Sequence, residues 1–168
     1  NFGLDDLAVV SPYEENWRLA HSAIYGSELL ERARLTTLEE AVADCRLVLG
    51  TASAHNRASR RTMVTLPVLR AWVKRRAPKG GRVAVLFGCE RSGLSNAELD
   101  SCHALLRIPT TEGAPSMNLG QAVAVAAYEL VRGGLERSVT EPDEDLLESR
   151  QLEAVVEAAM RAMKKAGV

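Results

Sequence analysis

Short apolar runs alternate along this chain with stretches of helical period. Residues 7–10, 47–51, 83–87 and 104–108 are apolar on both faces, which predicts strands buried inside a mostly parallel sheet. Helices are predicted between them at 15–33, 38–44 and 62–76, the second behind the capping-box pattern Thr37-Leu38-Glu39-Glu40. Ser95-Asn96-Ala97-Glu98 opens another short helix in the same way. A longer one is predicted at 119–132, apolar almost all round (Ala122, Val123, Val125, Ala126, Leu130), and therefore buried, stopping at Gly133-Gly134. Such alternation predicts a three-layer α/β domain, helices on both faces of the sheet, with ligands at the carboxyl ends of the strands. Beyond Gly134 the pattern changes to an acidic stretch, Glu141-Pro142-Asp143-Glu144-Asp145. Leu152, Val155, Val156, Ala159, Met160 and Met163 then recur at helical spacing. This predicts a linker and an amphipathic helix that packs on its own domain or on a dimer partner.

Composition narrows the classes. With 168 residues, 46% hydrophobic and 26% charged, the chain suits one domain with a real core. The longest uncharged apolar runs, 83–89 and 122–128, fall short of the roughly 20 residues that a membrane-spanning helix needs, so no membrane role is expected. Cys45, Cys89 and Cys102 are odd in number and lack C-x-x-C spacing, and only His21, His55 and His103 accompany them; neither a disulfide scaffold nor a metal site is expected. Aromatics at 4% leave little material for stacking successive bases. The chain opens at Asn1 rather than Met, in what reads as a helix-to-strand connection, so further residues are expected ahead of it.

The formal charge of -1 hides an asymmetry. Between Arg46 and Cys89 lie ten Lys or Arg and no acidic residue, while all 22 Asp and Glu lie elsewhere. A concentrated basic block is what a phosphate-binding surface needs, because each fixed cation that meets a phosphate releases counterions. A solvated basic face offset by acidic helices reads equally well from charge alone. Arg57, Arg60 and Arg61, just beyond the strand at 47–51 where a ligand cleft would be, are the candidates for phosphate contact.

Glycine placement carries a sharper signal. The segment Phe87-Gly88-Cys89-Glu90-Arg91-Ser92-Gly93-Leu94 holds neither G-x-G-x-x-G nor G-x-x-x-x-G-K-[ST], so hydride transfer and ATP hydrolysis lose their usual support. Gly88 ends a strand and Gly93 precedes a capped helix, so the loop can bring backbone amides close to a ligand while Glu90 offers a carboxylate. Ile108-Pro109-Thr110 closes the next strand, and Ser116-Met117-Asn118-Leu119-Gly120-Gln121-Ala122-Val123 leads into the long helix.

Taken together, residues 87–94, 108–110 and 116–123 resemble motifs two and three of the SpoU/TrmH family of SPOUT RNA methyltransferases, in order and spacing as well as in letters. Residues 47–53 resemble the family's preceding strand and cofactor-contacting turn, and Asn1-Phe2-Gly3-Leu4 with 7–10 resembles the segment after motif one, so the resemblance covers about residues 1–135. The polar linker and short C-terminal helix look most like the tRNA ribose methyltransferases of the anticodon loop. The resemblance implies a SPOUT α/β knot, a mostly parallel sheet whose C-terminal part threads a deep trefoil knot, over residues 1–135 without its first strand and helix. An acidic linker at 136–150 and an amphipathic helix at 151–168 would follow.

It implies S-adenosylmethionine as cofactor and S-adenosylhomocysteine as product, held by Thr51, Ala52, Ser53, Gly88, Ile108, Ser116, Met117 and Leu119. Glu90, Ser116 and Asn118 would be the catalytic residues. RNA, tRNA first and rRNA second, would be the substrate of a cytoplasmic homodimer that transfers a methyl group to a ribose 2'-hydroxyl without metal. Base methylation, or a non-catalytic RNA-binding module on the same knot, is the alternative. Local readings stand beside these: Asn118 with Gln121 resembles a helix cap, Ser116 a loop residue, Glu90 a structural carboxylate. The family's motif one, with the arginine proposed as its catalytic residue, falls before Asn1.

Overall fold

A computed structural model describes residues 2–13, 16–19, 26–52, 61–77, 81–133 and 149–166. Four strands form a parallel sheet: β3 (Cys45–Thr51), β4 (Thr62–Thr65), β5 (Arg82–Leu86) and β6 (Ala104–Arg107), in the order β4-β6-β3-β5. The two inner strands are the most deeply buried. Leu49, Leu105 and Leu106 are fully enclosed, and each such side chain contributes about 1.5–3 kcal/mol relative to exposure.

Strand alternation sorts these residues to two faces. Leu47, Leu49, Ala104 and Leu106 meet Leu69 of α3 (Leu69–Arg76) and Ala126 of α5 (Leu119–Val131). Val48 and Leu105 meet Leu99 of α4 (Asn96–Asp100), with Val42 of α2 (Leu38–Val42) packed on the same cluster. Helices therefore cover both faces, as the alternating sequence predicts. Both capping boxes are present: the Thr37 hydroxyl accepts from the Glu40 amide, and the Ser95 hydroxyl from the Glu98 amide.

The structure departs from the pattern in four places. Residues 62–76, predicted as one helix, divide into edge strand β4, a 3-10 turn at Leu66–Val68 and α3. Pro67 forces this: its ring cannot sit inside a helix but suits a first turn, and β-branched Thr62, Val64 and Thr65 ahead of it favour a strand. Residues 7–10, predicted as a buried sheet strand, give only β1 (Ala8–Val9), half-buried and paired in parallel with exposed β2 (Arg34–Leu35) in a separate two-stranded sheet. Within 15–33, the described residues form a 3-10 turn at Trp17–Leu19 and α1 (Ser27–Arg32). Finally α5, predicted to be buried, encloses only Ala126; Val123 is 40% and Tyr128 49% exposed. Its apolar surface exceeds what this sheet covers.

The chain forms two compact units, Asn1–Leu135 and Glu136–Val168. The second contains α6 (Ser149–Ala166), on which Val156, Met160 and Met163 are exposed. No helix among the described residues is long and apolar enough to cross a membrane.

Candidate active site

Because β3, β5 and β6 run parallel, their carboxyl ends open on one side of the sheet, and the connections leaving them enclose a cavity of about 290 Å³. The Thr51 hydroxyl donates to the Leu86 carbonyl at 3.0 Å, and the Ala52 amide to the Leu106 carbonyl at 3.0 Å, tying the three strand ends together. Thr51, Ala52, Gly88, Glu90, Ile108, Ser116, Met117 and Leu119, all singled out from the sequence, line this cavity. Ser53, Arg57 and Arg60 lie outside the described residues.

The loop after β5 is built by two glycines. The Gly93 amide donates to the Cys89 carbonyl at 2.7 Å, and Cys89 and Gly93 form a β-bridge. Gly93 takes φ +68, a left-handed conformation that a residue with a Cβ adopts only at a cost. A Cβ on Gly88 would lie 2.1 Å from the Gly93 carbonyl carbon and 2.2 Å from the Leu94 nitrogen, so the loop closes only because none is there. Glu90, Arg91 and Ser92 are carried at its tip.

Asn118, at the N-cap of α5, joins this loop to the helix. Its Oδ1 accepts from the Gln121 amide at 3.3 Å, and its Nδ2 donates to Glu90 Oε1 at 2.7 Å. The helix-cap reading of Asn118 is therefore realised, and the other end of the same amide meets Glu90. The cap fixes the side chain, so the carboxylate of Glu90 is held at the cavity, with no cationic partner among the described residues.

Sequence reasoning passed over several lining residues: Phe87, Cys89, Arg91, Ser92, Leu94, Thr110, Pro115 and Ala122. Most belong to the same loops as the residues it chose, and the closed form of 88–93 was the available signal. Phe87, Leu94, Ile108, Met117, Leu119 and Ala122 give the cavity an apolar wall, while Glu90, Arg91, Ser92 and Ser116 give it a polar one. Cys89 is exposed, and the amides of Arg91 and Ser92 lower its thiol pKa by stabilising the thiolate. Burial pushes the thiols of Cys45 and Cys102 up.

Arg61 stands elsewhere. It precedes β4, whose first residue is level with the start of β6, and it pairs with Asp100 at 2.7 Å, at the opposite end of the sheet from the cavity. Arg61, the one of the three candidate arginines that is described, is thus not part of the cavity.

A model of the SpoU rRNA Methylase family matches residues 1–128. The chain belongs to this family. Among its relatives, a tRNA (cytidine-2'-O-)-methyltransferase TrmJ of Methanocaldococcus jannaschii is 35% identical over 136 residues, covering 77% of this chain and 57% of the relative. The crystal structure of TrmJ from Z. mobilis superposes with a TM-score of 0.66 at 29% identity, over 99% of this chain and 71% of that one. An AdoMet-bound rRNA methyltransferase from Sinorhizobium meliloti shares the fold, with a TM-score of 0.59 at 20% identity over 80% of this chain and 48% of that one. This chain thus spans little more than half the length of the curated relatives it matches. The family's matched region ends inside α5, so it contains the whole cavity.

Proposed function

We propose that this chain is the methyltransferase unit of an S-adenosylmethionine-dependent RNA 2'-O-ribose methyltransferase of the cytoplasm, acting on tRNA, with rRNA as the second candidate. The observation that carries the reading is the Glu90–Asn118 hydrogen bond at the mouth of a cavity built from three strand ends. The relatives named as tRNA 2'-O-methyltransferases support the same chemistry.

The residues present fit this cofactor. The small residues Ala52, Gly88 and Ala122 leave room for an adenosine, and Ile108, Met117 and Leu119 offer it an apolar wall. When bound, S-adenosylmethionine supplies an electrophilic methyl group on a sulfonium. The chain's own work is then to place a ribose 2'-oxygen in line with that methyl, keep water away, and provide an acceptor near the departing hydroxyl proton. Glu90, held by Asn118, presents a carboxylate oxygen at the cavity mouth, and Ser116 lies on the strand-to-helix connection beside it. Ser53, Arg57, Arg60 and Arg61 retain their assigned roles in this proposal, Ser53 toward the cofactor and the arginines toward RNA.

The finer architecture belongs to the same proposal. β6, the last strand in sequence, lies between β4 and β3, an insertion that supports a C-terminal trefoil knot. The exposed Val123 and Tyr128 of α5, with Phe2 edge-on to Tyr128 at 6.0 Å, support a homodimer. Residues 136–150 would act as linker and 151–168 as an appended helix.

The test is product analysis: incubate the protein with labelled S-adenosylmethionine and bulk tRNA, digest with nuclease, and separate the products. A 2'-O-methyl group blocks cleavage at its own phosphodiester, so a labelled nuclease-resistant dinucleotide is expected. Label in a mononucleotide base would move the reaction to base methylation. RNA binding with no label transferred would leave a non-catalytic module.

A further inference from the structure

The proposed function leaves one cation at the cavity unused. Arg91 lines the cavity beside Glu90, on the tip of the 88–94 loop. It is exposed, and among the described residues no carboxylate pairs with its guanidinium, whereas Arg34, Arg61, Arg82 and Arg132 are each paired with an acidic residue. A guanidinium is permanently charged and offers a planar fork of donors that matches a phosphate. Its neighbours explain why it stays open. Glu90, one residue away, is engaged by Asn118 rather than by a cation, so the loop carries an acid and a base side by side without joining them.

The backbone beneath Arg91 is also fixed. Its amide and that of Ser92 interact with the Cys89 thiol, and the Gly93 amide closes the turn at 2.7 Å. Only the side chain must then be ordered when a ligand arrives, which reduces the entropic cost of a contact made there.

We propose that Arg91 is a phosphate subsite of the cavity mouth, binding a phosphodiester that flanks the ribose presented to Glu90. This rests on the proposed function and deepens it. A target nucleotide in a polymer carries a flanking phosphodiester and a free nucleoside does not, so Arg91 selects nucleotides of an RNA chain over free nucleosides.

The experiment compares the wild-type chain with Arg91→Ala and Arg91→Lys in three readings: S-adenosylhomocysteine affinity by calorimetry, tRNA binding against KCl concentration, and KM against kcat for methyl transfer to tRNA. Arg91→Ala is expected to keep S-adenosylhomocysteine affinity, weaken tRNA binding on the order of tenfold, and reduce the log–log salt slope by about one. The loss should appear mainly in KM. Arg91→Lys should restore the slope, because the charge returns.

An Arg91→Ala protein with the wild-type slope and KM overturns the inference and leaves the proposed function standing. Loss of S-adenosylhomocysteine binding also overturns it, since Arg91 would then be shaping the loop. If the wild-type protein binds tRNA without transferring methyl to a 2'-hydroxyl, the proposed function fails, and the salt slope still decides whether Arg91 contacts phosphate.

Discussion

At the end of the four-stranded sheet where its strands begin, two arginines are held in ion pairs. Arg82, the first residue of β5, pairs with both Asp6 and Asp44, and Arg61 pairs with Asp100 just ahead of β6. Where the strands finish, the pairing stops. The carboxylate of Glu90 meets a neutral amide, and Arg91 meets no carboxylate among the described residues. Matched pairs of half-exposed groups contribute at most about 1 kcal/mol each and mainly fix local geometry. Charges held open beside a cavity are available to a ligand instead. The difference separates arginines held in ion pairs at one end of the sheet from an arginine that lines the cavity at the other.

Substitutions at the two ends should therefore read differently. The largest effect is expected from Gly88→Ala, because the added methyl would overlap the Gly93–Leu94 backbone and the loop must open. Calorimetry should find no S-adenosylhomocysteine binding by a protein whose circular dichroism still shows the folded sheet. Asn118→Asp comes next. Aspartate caps α5 as well as asparagine does, so the melting transition should move by no more than about 0.5 kcal/mol. The new carboxylate repels Glu90 instead of donating to it, and methyl transfer should fall by about a hundredfold. Unchanged transfer would reduce Asn118 to a helix cap.

The smallest effect is expected at the matched end. Arg82→Ala removes two ion pairs and should lower stability by no more than about 2 kcal/mol in urea denaturation. Its S-adenosylhomocysteine affinity should be that of the wild type. A loss of affinity there would dissolve the distinction between the two ends.

Much of this was legible in the sequence, and the failures have physical causes. Residues 47–51, 83–87 and 104–108 read correctly because fully buried parallel strands leave continuous apolar runs, and the boundaries of β3, β5 and β6 lie within two residues of them. β4 was missed because four residues at a sheet edge, with only Val64 enclosed, carry no period of their own. The cavity loops were legible through their glycines and through Ser116 and Asn118. Arg91 was not, because its place on the cavity wall is displayed only by the fold. The exposure of α5 was hidden for the opposite reason: an all-apolar helix signals burial without saying whether the same chain provides it.

The central claim is that the cofactor occupies the cavity closed by the 88–94 loop. Cys89 lies on that wall, and its lowered thiol pKa gives it more thiolate near neutral pH than Cys45 or Cys102, so iodoacetamide should react there first. The decisive measurement is the rate of Cys89 alkylation, followed by mass spectrometry, as S-adenosylhomocysteine is titrated in. The rate should fall along a one-site saturation curve while the slow reactions of Cys45 and Cys102 do not change. A Cys89 rate that stays constant across the titration would contradict the assignment of this cavity to the cofactor.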